Sequence, residues 1–331
     1  MAEYQGVLVY GEVLDGKIAP ITKELLGVGG KLASDLGEPL WAVLLGSGIA
    51  DAAKESIAYG AEKVYLVDDP LLADPHSDSY TAVVTKVHQE VNPKILLIGQ
   101  TDIGRDIAPR LAARLGAGLT MDCVDLKIDP ASKSMIQTRP AYGGNAMAVV
   151  KAASPQIATA RAKSMTPSEP DDSRQGEVVM VQSGIDSSVI RAVKAKVVKE
   201  ETEGVKLEDA EVVVAGGRGI GSAEGFDTLY ELAKVFGGAV GATRAAYEEG
   251  WVPSALQIGQ TGKVVGPKLY VAIALSGAMQ HLAGCAGSKN IVAINKDPDA
   301  NIFNVARFGI VGDYKTAIPA LTEKCRELLM S

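Results

Sequence analysis

Short apolar runs alternate with helical periodicity over the first third of the chain. The runs predict buried strands at residues 7–10, 41–45, 63–67 and 94–99. The helical pattern predicts helices at residues 21–36, 49–59, 79–90 and 106–115. Strands that alternate with helices in this way are typical of a mainly parallel sheet with helices on both faces.

The pattern changes after residue 120. Short strands joined by turns are predicted at residues 121–127, 134–139, 146–152 and 156–160. We expect these strands to extend the first sheet in antiparallel fashion. A polar loop rich in Pro and Asp follows at residues 164–176, and strand-like alternation returns at residues 178–198.

The segment KEETEGVKLED, residues 199–209, is dense in charge and lacks aromatic side chains, which is typical of a linker. Beyond it, strands are predicted at residues 211–215, 239–240, 269–275, 291–294 and 310–311, and helices at residues 226–236 and 315–329. We therefore predict an α/β protein with two domains, residues 1–200 and 205–331, each a mainly parallel sheet with flanking helices. We also expect a hinge at the linker.

Composition excludes several classes of protein. A net charge of −7 and an aromatic content of 5% argue against a nucleic-acid-binding surface. The three cysteines, Cys123, Cys285 and Cys325, have no spacing typical of metal ligands and suit a reducing compartment. No apolar run is long enough to span a membrane, and no signal peptide is apparent. We expect a cytoplasmic protein without a metal and without membrane insertion.

The chemistry concentrates between residues 257 and 297. A buried strand at residues 269–275 runs into Ser276 and Gly277, after which a helical pattern begins. We expect Ser276 to cap that helix, and the helix start to face a phosphate. A small polar loop precedes the strand, and it contains Gln257, Gly259, Gln260, Thr261 and Gly262. His281 follows on the first turns of the helix, within reach of a ligand, although an ordinary turn with a surface histidine would give the same pattern.

Three further stretches carry candidate residues. The glycine-rich segment AGGRGIGS brings Arg218 to a strand end, but its glycine register and the lack of a later acidic residue disfavour a nicotinamide-binding fingerprint. Arg244 follows Thr243 after a short strand, where a guanidinium suits either a conjugated ring or simple solvent exposure. Asp313 follows the last strand, where a carboxylate suits a ribose or a helix N-cap.

No catalytic constellation is apparent. The chain contains no GxSxG and no Walker pattern, and His88 falls in a helical pattern without a nucleophile nearby. The loop at residues 99–101 is a second candidate place for a ligand, although taken alone it fits a plain strand-to-helix turn better. A site for phosphates and a ring without acid–base residues favours a cofactor carrier.

Four segments together resemble the alpha subunit of the electron-transfer flavoproteins. They are AGGRGIGS, GATRAAYEEGWVP, QIGQTGKVVGPKLYVAIALSGAMQHLAG and NIVAINKDPDANIFNVARFGIVGD. The likeness covers essentially the whole chain and is strongest from residue 212 to residue 313. It implies a flavodoxin/Rossmann-like C-terminal domain that binds FAD, completed by a partner beta subunit. The redox chemistry is an implication of this resemblance alone.

The resemblance also assigns roles to residues. Arg218 would meet the FAD, with Thr243 and Arg244 near the isoalloxazine, where many family members have Ser in place of Thr243. His281 would lie near the flavin C2 carbonyl and stabilise negative charge as a hydrogen-bond donor. The full predicted cofactor-binding set is Arg218, Thr243, Arg244, Gln257, Gly259, Gln260, Thr261, Gly262, Ser276, Gly277, Ala278, Gln280, His281, Asn295, Asp297 and Asp313.

The leading hypothesis is an electron carrier that works with an acyl-CoA dehydrogenase or a similar flavoenzyme. In a bifurcating variant, NADH and ferredoxin would act through a beta subunit that holds a second FAD in place of AMP. The discriminating residues lie largely in the partner chain. A non-redox module that binds an adenine nucleotide is the alternative, and an NAD-dependent dehydrogenase is disfavoured.

Overall fold

We describe the protein from a computed structural model, which covers residues 4–142, 146–192 and 205–330. These residues fall into two compact units, one with residues 4–141 and 146–192 and one with residues 142 and 205–330. Residues 199–204 of the predicted hinge lie outside the described residues. The domain boundaries and the hinge therefore stay predictions, and each unit is described by itself.

The first unit is built on a sheet of seven strands. Its elements in chain order are β1 (Val7–Gly11), β2 (Val13–Leu14), β3 (Lys17–Ile18), α1 (Pro20–Leu36), β4 (Leu40–Gly46), α2 (Ala50–Ala58), β5 (Lys63–Asp68), α3 (Ser77–Val91), β6 (Ile95–Gly99), α4 (Asp102–Leu115), β7 (Gly118–Cys123), β8 (Asp125–Ile128), β9 (Met135–Ala141), β10 (Ala146–Lys151), β11 (Gln156–Ala160) and β12 (Glu177–Met180). The order in the sheet is β12-β5-β4-β1-β6-β11-β7, and all neighbours are parallel.

The central strands are buried on both faces because successive side chains point in opposite directions. Along β1, Val7 and Val9 pack into the core beneath α1 and α2, whereas Leu8 and Tyr10 pack into the core beneath α3 and α4. The predicted α/β class with mainly parallel sheets is therefore confirmed.

The antiparallel strands do not extend this sheet, so that part of the prediction is wrong. They form a separate three-stranded sheet in the order β10-β9-β8, whereas β7, β11 and β12 join the large sheet in parallel. The strand predicted at residues 121–127 is two strands, β7 and β8, which are separated at Val124. Within β7, Asp122 takes a φ of 64° and donates its backbone N–H to the Thr159 hydroxyl over 2.8 Å, where the register with β11 shifts. Of the alternation predicted at residues 178–198, only β12 forms a strand among the described residues.

The loop at residues 99–101 is a strand-to-helix turn. The Thr101 hydroxyl accepts from the backbone N–H of Gly104 over 3.0 Å and donates to Glu12 over 2.6 Å, so it caps α4. Burial raises the pKa of Glu12. Because this cap uses the Thr101 hydroxyl, α4 begins at Asp102, four residues before the predicted start.

The second unit is a five-stranded parallel sheet. Its elements are β13 (Val212–Gly216), α5 (Asp227–Val235), β14 (Ala239–Ala242), α6 (Arg244–Glu248), β15 (Leu269–Ile273), α7 (Met279–Cys285), β16 (Ile291–Asn295), β17 (Phe308–Val311) and α8 (Tyr314–Met330). The spatial order β14-β13-β15-β16-β17 is the flavodoxin-like order 2-1-3-4-5. Its switch point lies between β13 and β15, where the chain reverses direction across the sheet.

The described parts of the chain contain neither a membrane-spanning helix nor a metal-binding cluster. None of their helices combines the length and the apolar character that crossing a bilayer requires. No group of three or more His, Cys, Asp and Glu side chains in those parts is arranged to hold a metal ion.

His88 makes the first unit sensitive to acid. Its ring is buried on α3, and its Nε2 has no hydrogen-bond partner among the described residues. Burial lowers the pKa of His88 to about 4. Because the folded state binds this proton less readily than the unfolded state does, stability is fully present above the ordinary histidine pKa of about 6.5 and is lost as the pH falls toward 4.

We expect His88→Gln to reduce the loss of unfolding free energy between about pH 6.5 and pH 4, because glutamine does not titrate. Urea unfolding at a series of pH values measures this slope. His76→Gln is the control, since His76 is only partly buried. A slope that His88→Gln leaves unchanged would contradict this account.

Candidate functional site

A cleft of about 770 Å³ opens at the carboxyl edge of the second sheet. It lies at the switch point, where ligands of open parallel sheets bind. Its walls include every predicted cofactor-binding residue except Gly262 and Asp313. These are Arg218, Thr243, Arg244, Gln257, Gly259, Gln260, Thr261, Ser276, Gly277, Ala278, Gln280, His281, Asn295 and Asp297.

The loops after β13 and β15 meet at the floor of this cleft. A Cβ at Gly217 would overlap the backbone of Leu275 and the carbonyl oxygen of Ala274. Gly219 donates its backbone N–H to the same carbonyl over 3.1 Å. Ala274 itself takes a left-handed φ of 50°, which is unfavourable for a residue with a Cβ. The approach of the two loops therefore depends on the glycines after β13.

The prediction that Ser276 caps the following helix is wrong. The N-cap of α7 is Ala278, without a side-chain hydrogen bond, and the helix begins at Met279. Before this helix begins, the chain is attached to the loop at Ile302, because the Ser276 carbonyl accepts from the Ile302 N–H over 3.0 Å. Gly277 has a φ of 79° and packs directly against the Ile302 backbone. Ser276 itself is exposed to the cleft.

The polar loop between α6 and β15 is held by its own hydrogen bonds. The Gln257 side chain is buried and donates from Nε2 to the Thr261 hydroxyl over 2.9 Å. The backbone N–H of Gln260 donates to the Gln280 carbonyl over 2.7 Å, which fixes the loop against α7. Gly259 has a φ of 147°, and a side chain there would press on the same carbonyl. Gly262 lies behind the loop against the Gln257 backbone, so it shapes the loop rather than the cleft wall.

Thr243 and Arg244 begin α6 at one side of the cleft. The Thr243 hydroxyl caps this helix by accepting from the Ala246 N–H over 3.4 Å. Arg244 pairs through Nε with Glu248 over 2.7 Å, and both side chains are exposed. An exposed pair at this helical spacing is worth little, so Arg244 remains available to a ligand.

Asn295 and Asp297 line the opposite side, at the end of β16. The Asn295 Nδ2 donates to the Leu275 carbonyl over 2.9 Å, and its Oδ1 accepts from the Asp297 N–H over 3.0 Å. Asp313 lies outside the cleft. It caps α8 by accepting from the Lys315 N–H over 3.0 Å and pairs with Lys296, and the Lys315 N–H is the first cause of its lowered pKa.

His281 lies in the cleft wall with 6% of its surface exposed, rather than at the protein surface. Its Nδ1 is 3.1 Å from the Ile258 carbonyl oxygen, and its Nε2 is 2.9 Å from the Tyr270 hydroxyl. Burial lowers the pKa of His281 to about 4, so the imidazole is neutral at physiological pH.

Several wall residues escape prediction from sequence. They are Gly217, Gly219, Ala245, Glu248, Ile258, Ala274, Leu275 and Ala300. Most contribute backbone or small apolar side chains, which carry no chemical signal. Glu248 had a usable signal, since it lies four residues after Arg244 on a short helix. Gly217 and Gly219 also had one, since they belong to the glycine-rich segment AGGRGIGS.

Comparison with known proteins decides the family. The family described as "Electron transfer flavoprotein domain" matches residues 7–184, and that described as "Electron transfer flavoprotein FAD-binding domain" matches residues 206–286. The electron transfer flavoprotein alpha subunit of Thermoanaerobacterium thermosaccharolyticum is 45% identical over 330 residues, which is 99% of this chain and 100% of the relative. This chain belongs to the electron-transfer flavoprotein alpha-subunit family.

Other relatives bear related names. The alpha subunit of Megasphaera elsdenii is 45% identical over 99% of this chain and 98% of its own length. A subunit of Acetobacterium woodii named "Lactate dehydrogenase (NAD(+),ferredoxin) subunit LctC" is 39% identical over 96% of this chain and 76% of its own length. Membership of the alpha-subunit family implies flavin binding and a heterodimer with a beta subunit.

The geometry of the cleft fits a flavin cofactor. Its volume of about 770 Å³ lies in the range of small-molecule sites, which is several hundred to about 1,000 Å³. Gly217, Gly259 and Gly277 keep the backbone free of side chains where a Cβ would meet neighbouring atoms. Arg218 and Arg244 supply two positive charges suited to a pyrophosphate or an anionic ring.

We expect Gly277→Ala to destabilise the second unit by roughly 2–4 kcal/mol, because it adds left-handed strain to an overlap with the Ile302 backbone. Flavin retention should fall with it, since Gly277 lines the cleft. Thermal unfolding and the flavin-to-protein absorbance ratio measure the two effects. Gly287→Ala is the matched control, because a Cβ there meets no atom closer than 3.6 Å. Equal melting temperatures for the two variants would refute the proposed packing.

Proposed function

We propose that this chain binds FAD in the cleft of its second unit, forms a heterodimer with a beta subunit, and carries electrons. Its electron donor or acceptor would be an acyl-CoA dehydrogenase or a similar flavoenzyme, together with a second redox partner. The bound FAD would supply the redox chemistry, and the protein would set its orientation and electrostatic environment. We also propose that the pair works in the cytoplasm, in keeping with three free cysteines.

One observation carries this proposal. The cleft at the switch point gathers two arginines, a polar loop and the ends of four parallel strands, β13 to β16, in one place. The one imidazole of the cleft wall, His281, is buried and has both ring nitrogens hydrogen-bonded within the protein, so it is not free to act as a catalytic acid or base. That arrangement suits a redox cofactor that is held and tuned rather than a substrate that is cleaved.

The bifurcating variant is a second candidate function. A relative from Acetobacterium woodii has NAD(+) and ferredoxin in its name. In such a variant, NADH would be oxidised and ferredoxin reduced through the beta subunit. The cleft described above would be the same in both variants, so the beta subunit decides between them.

We expect each purified heterodimer to contain one FAD bound to this chain. Acid release of the cofactors followed by chromatography would count FAD and AMP. One FAD with one AMP would indicate a plain carrier, and two FADs would indicate the bifurcating variant. A pair without flavin after incubation with excess FAD would refute the proposal and favour the adenine-nucleotide module.

We expect Arg244→Ala to lower the reduction potential of the bound flavin. A nearby cation stabilises the negative charge that the flavin gains on reduction, and Arg244 lines the cleft with its charge exposed. Spectroelectrochemical titration of the heterodimer measures the midpoint potential. Arg326→Ala, an exposed arginine on α8, is the control. An unchanged potential in Arg244→Ala would place this side chain away from the flavin ring.

A further inference from the structure

A second cavity opens at the edge of the second sheet opposite to the cleft. β16 begins at Ile291, which lines this cavity, and ends at Asn295, which lines the cleft, so about 13 Å of strand separates the two. The cavity has a volume of about 330 Å³, and the two share no wall residue. Its walls come from residues within two segments, 282–291 and 304–307, and we call it the amino-edge pocket.

The charged side chains of the amino-edge pocket are all positive. Lys289 and Arg307 line it, and no carboxylate does so among the described residues. Both are exposed, and neither forms an ion pair with a described Asp or Glu. The nearby Lys268, by contrast, pairs with Glu211 over 2.7 Å. Because the whole chain has a net charge of −7, an anion would be attracted here by local charge and not by the general field of the protein.

The guanidinium of Arg307 is held in place by its neighbours. Its Nη1 donates to the Asn290 Oδ1 over 2.7 Å, and the Asn290 Nδ2 in turn donates to the Lys268 carbonyl over 3.1 Å. The backbone N–H of Arg307 donates to the Ile291 carbonyl over 2.8 Å. The other guanidinium N–H groups have no hydrogen-bond partner among the described residues, so an oriented fork remains for an oxyanion.

The remaining polar groups of the wall are compatible with an anion. The carbonyl of Cys285, at the end of α7, accepts from both the N–H and the hydroxyl of Ser288, over 3.0 and 2.6 Å. This carbonyl is therefore already occupied and repels an anion less than a free one would. Asn304 adds an exposed amide, which can donate.

The rest of the wall is apolar. Leu282, Ile291, Val305 and Ala306 line the pocket, and Val305 has 45% of its surface exposed. A bound molecule would therefore meet hydrocarbon beside the two cations. The volume lies at the lower end of the range for small-molecule sites, which is several hundred to about 1,000 Å³.

We propose that the amino-edge pocket binds a small phosphate monoester whose organic part is apolar. A phosphate monoester carries nearly two negative charges near neutral pH, which matches Lys289 and Arg307 together, whereas a carboxylate carries one. Arginine also binds phosphate oxygens through two parallel hydrogen bonds. This site is separate from the cleft and does not rest on the proposed function.

Calorimetric titration of the flavin-loaded heterodimer with phenyl phosphate tests the proposal. Bound FAD fills the cleft, so that the probe must bind elsewhere. We expect one phenyl phosphate per pair. Benzenesulfonate has the same ring but a single negative charge, and inorganic phosphate lacks the ring, so both should bind several-fold more weakly. No binding of phenyl phosphate would overturn the proposal, and equal binding of either comparison compound would overturn the ligand class.

Variants locate the bound probe. Arg307→Gln should weaken the binding of phenyl phosphate about tenfold, because it removes a charge-assisted hydrogen bond. Lys289→Gln should weaken it less, since an exposed lysine acts as a point charge. Lys268→Gln is the matched control, because it changes the net charge equally but does not line the pocket. It should leave the affinity unchanged.

A substitution at an exposed position guards against loss of folding. Val305→Asp puts a carboxylate into the wall and should abolish binding, while the flavin-to-protein absorbance ratio stays at the wild-type value. Wild-type affinity in both Arg307→Gln and Val305→Asp would place the probe elsewhere and overturn the proposal. A pair without flavin would refute the proposed function instead, and the variants would still locate the phosphate.

Discussion

The approach of the loops after β13 and β15 is the constraint on which the site depends. These strands are neighbours at the switch point, so their carboxyl ends must share one small space. Only a glycine at position 217 allows the Ala274–Leu275 backbone to pass, and Ala274 adopts a left-handed conformation there. Local strain of this kind persists only where surrounding structure holds it, and here the two sheet strands hold it.

The remainder of the cleft is built outward from that contact. Ser276 and Gly277 contact the loop at Ile302, and the Asn295 side chain donates a hydrogen bond to the Leu275 carbonyl. On the other side, the loop at Gln260 is tied to α7 through the Gln280 carbonyl. The cleft is therefore lined by backbone held in place by hydrogen bonds, with few side chains that ionise near neutral pH. Such a site binds and orients a cofactor without chemistry of its own.

The two units use the same kind of sheet differently. In the first unit, the turn after β6 is closed by Thr101, whose hydroxyl caps α4 and bonds to Glu12. In the second unit, the equivalent turns after β13 and β15 are glycine-rich and open. The same parallel-sheet architecture thus supports a packed turn in one case and a ligand cleft in the other, and the side chains at the strand ends make the difference.

Hydrophobic pattern alone determined most of the secondary structure and the α/β class, because a strand buried on both faces and an amphipathic helix leave clear periodic signals. The glycines, arginines and polar loop of the cleft were also visible in the sequence, since their residue types are unusual at strand ends. Pairing partners were not visible. Whether strands after residue 120 join the large sheet or form their own depends on long-range packing. The left-handed backbone at Asp122, inside β7, is likewise held by the Thr159 hydroxyl, which is distant in the sequence. The same holds for Ser276 and His281, because a helix cap and the hydrogen-bond partners of a buried ring depend on atoms that tertiary structure brings near. These are the Ile302 N–H for Ser276, and the Ile258 carbonyl and Tyr270 hydroxyl for His281.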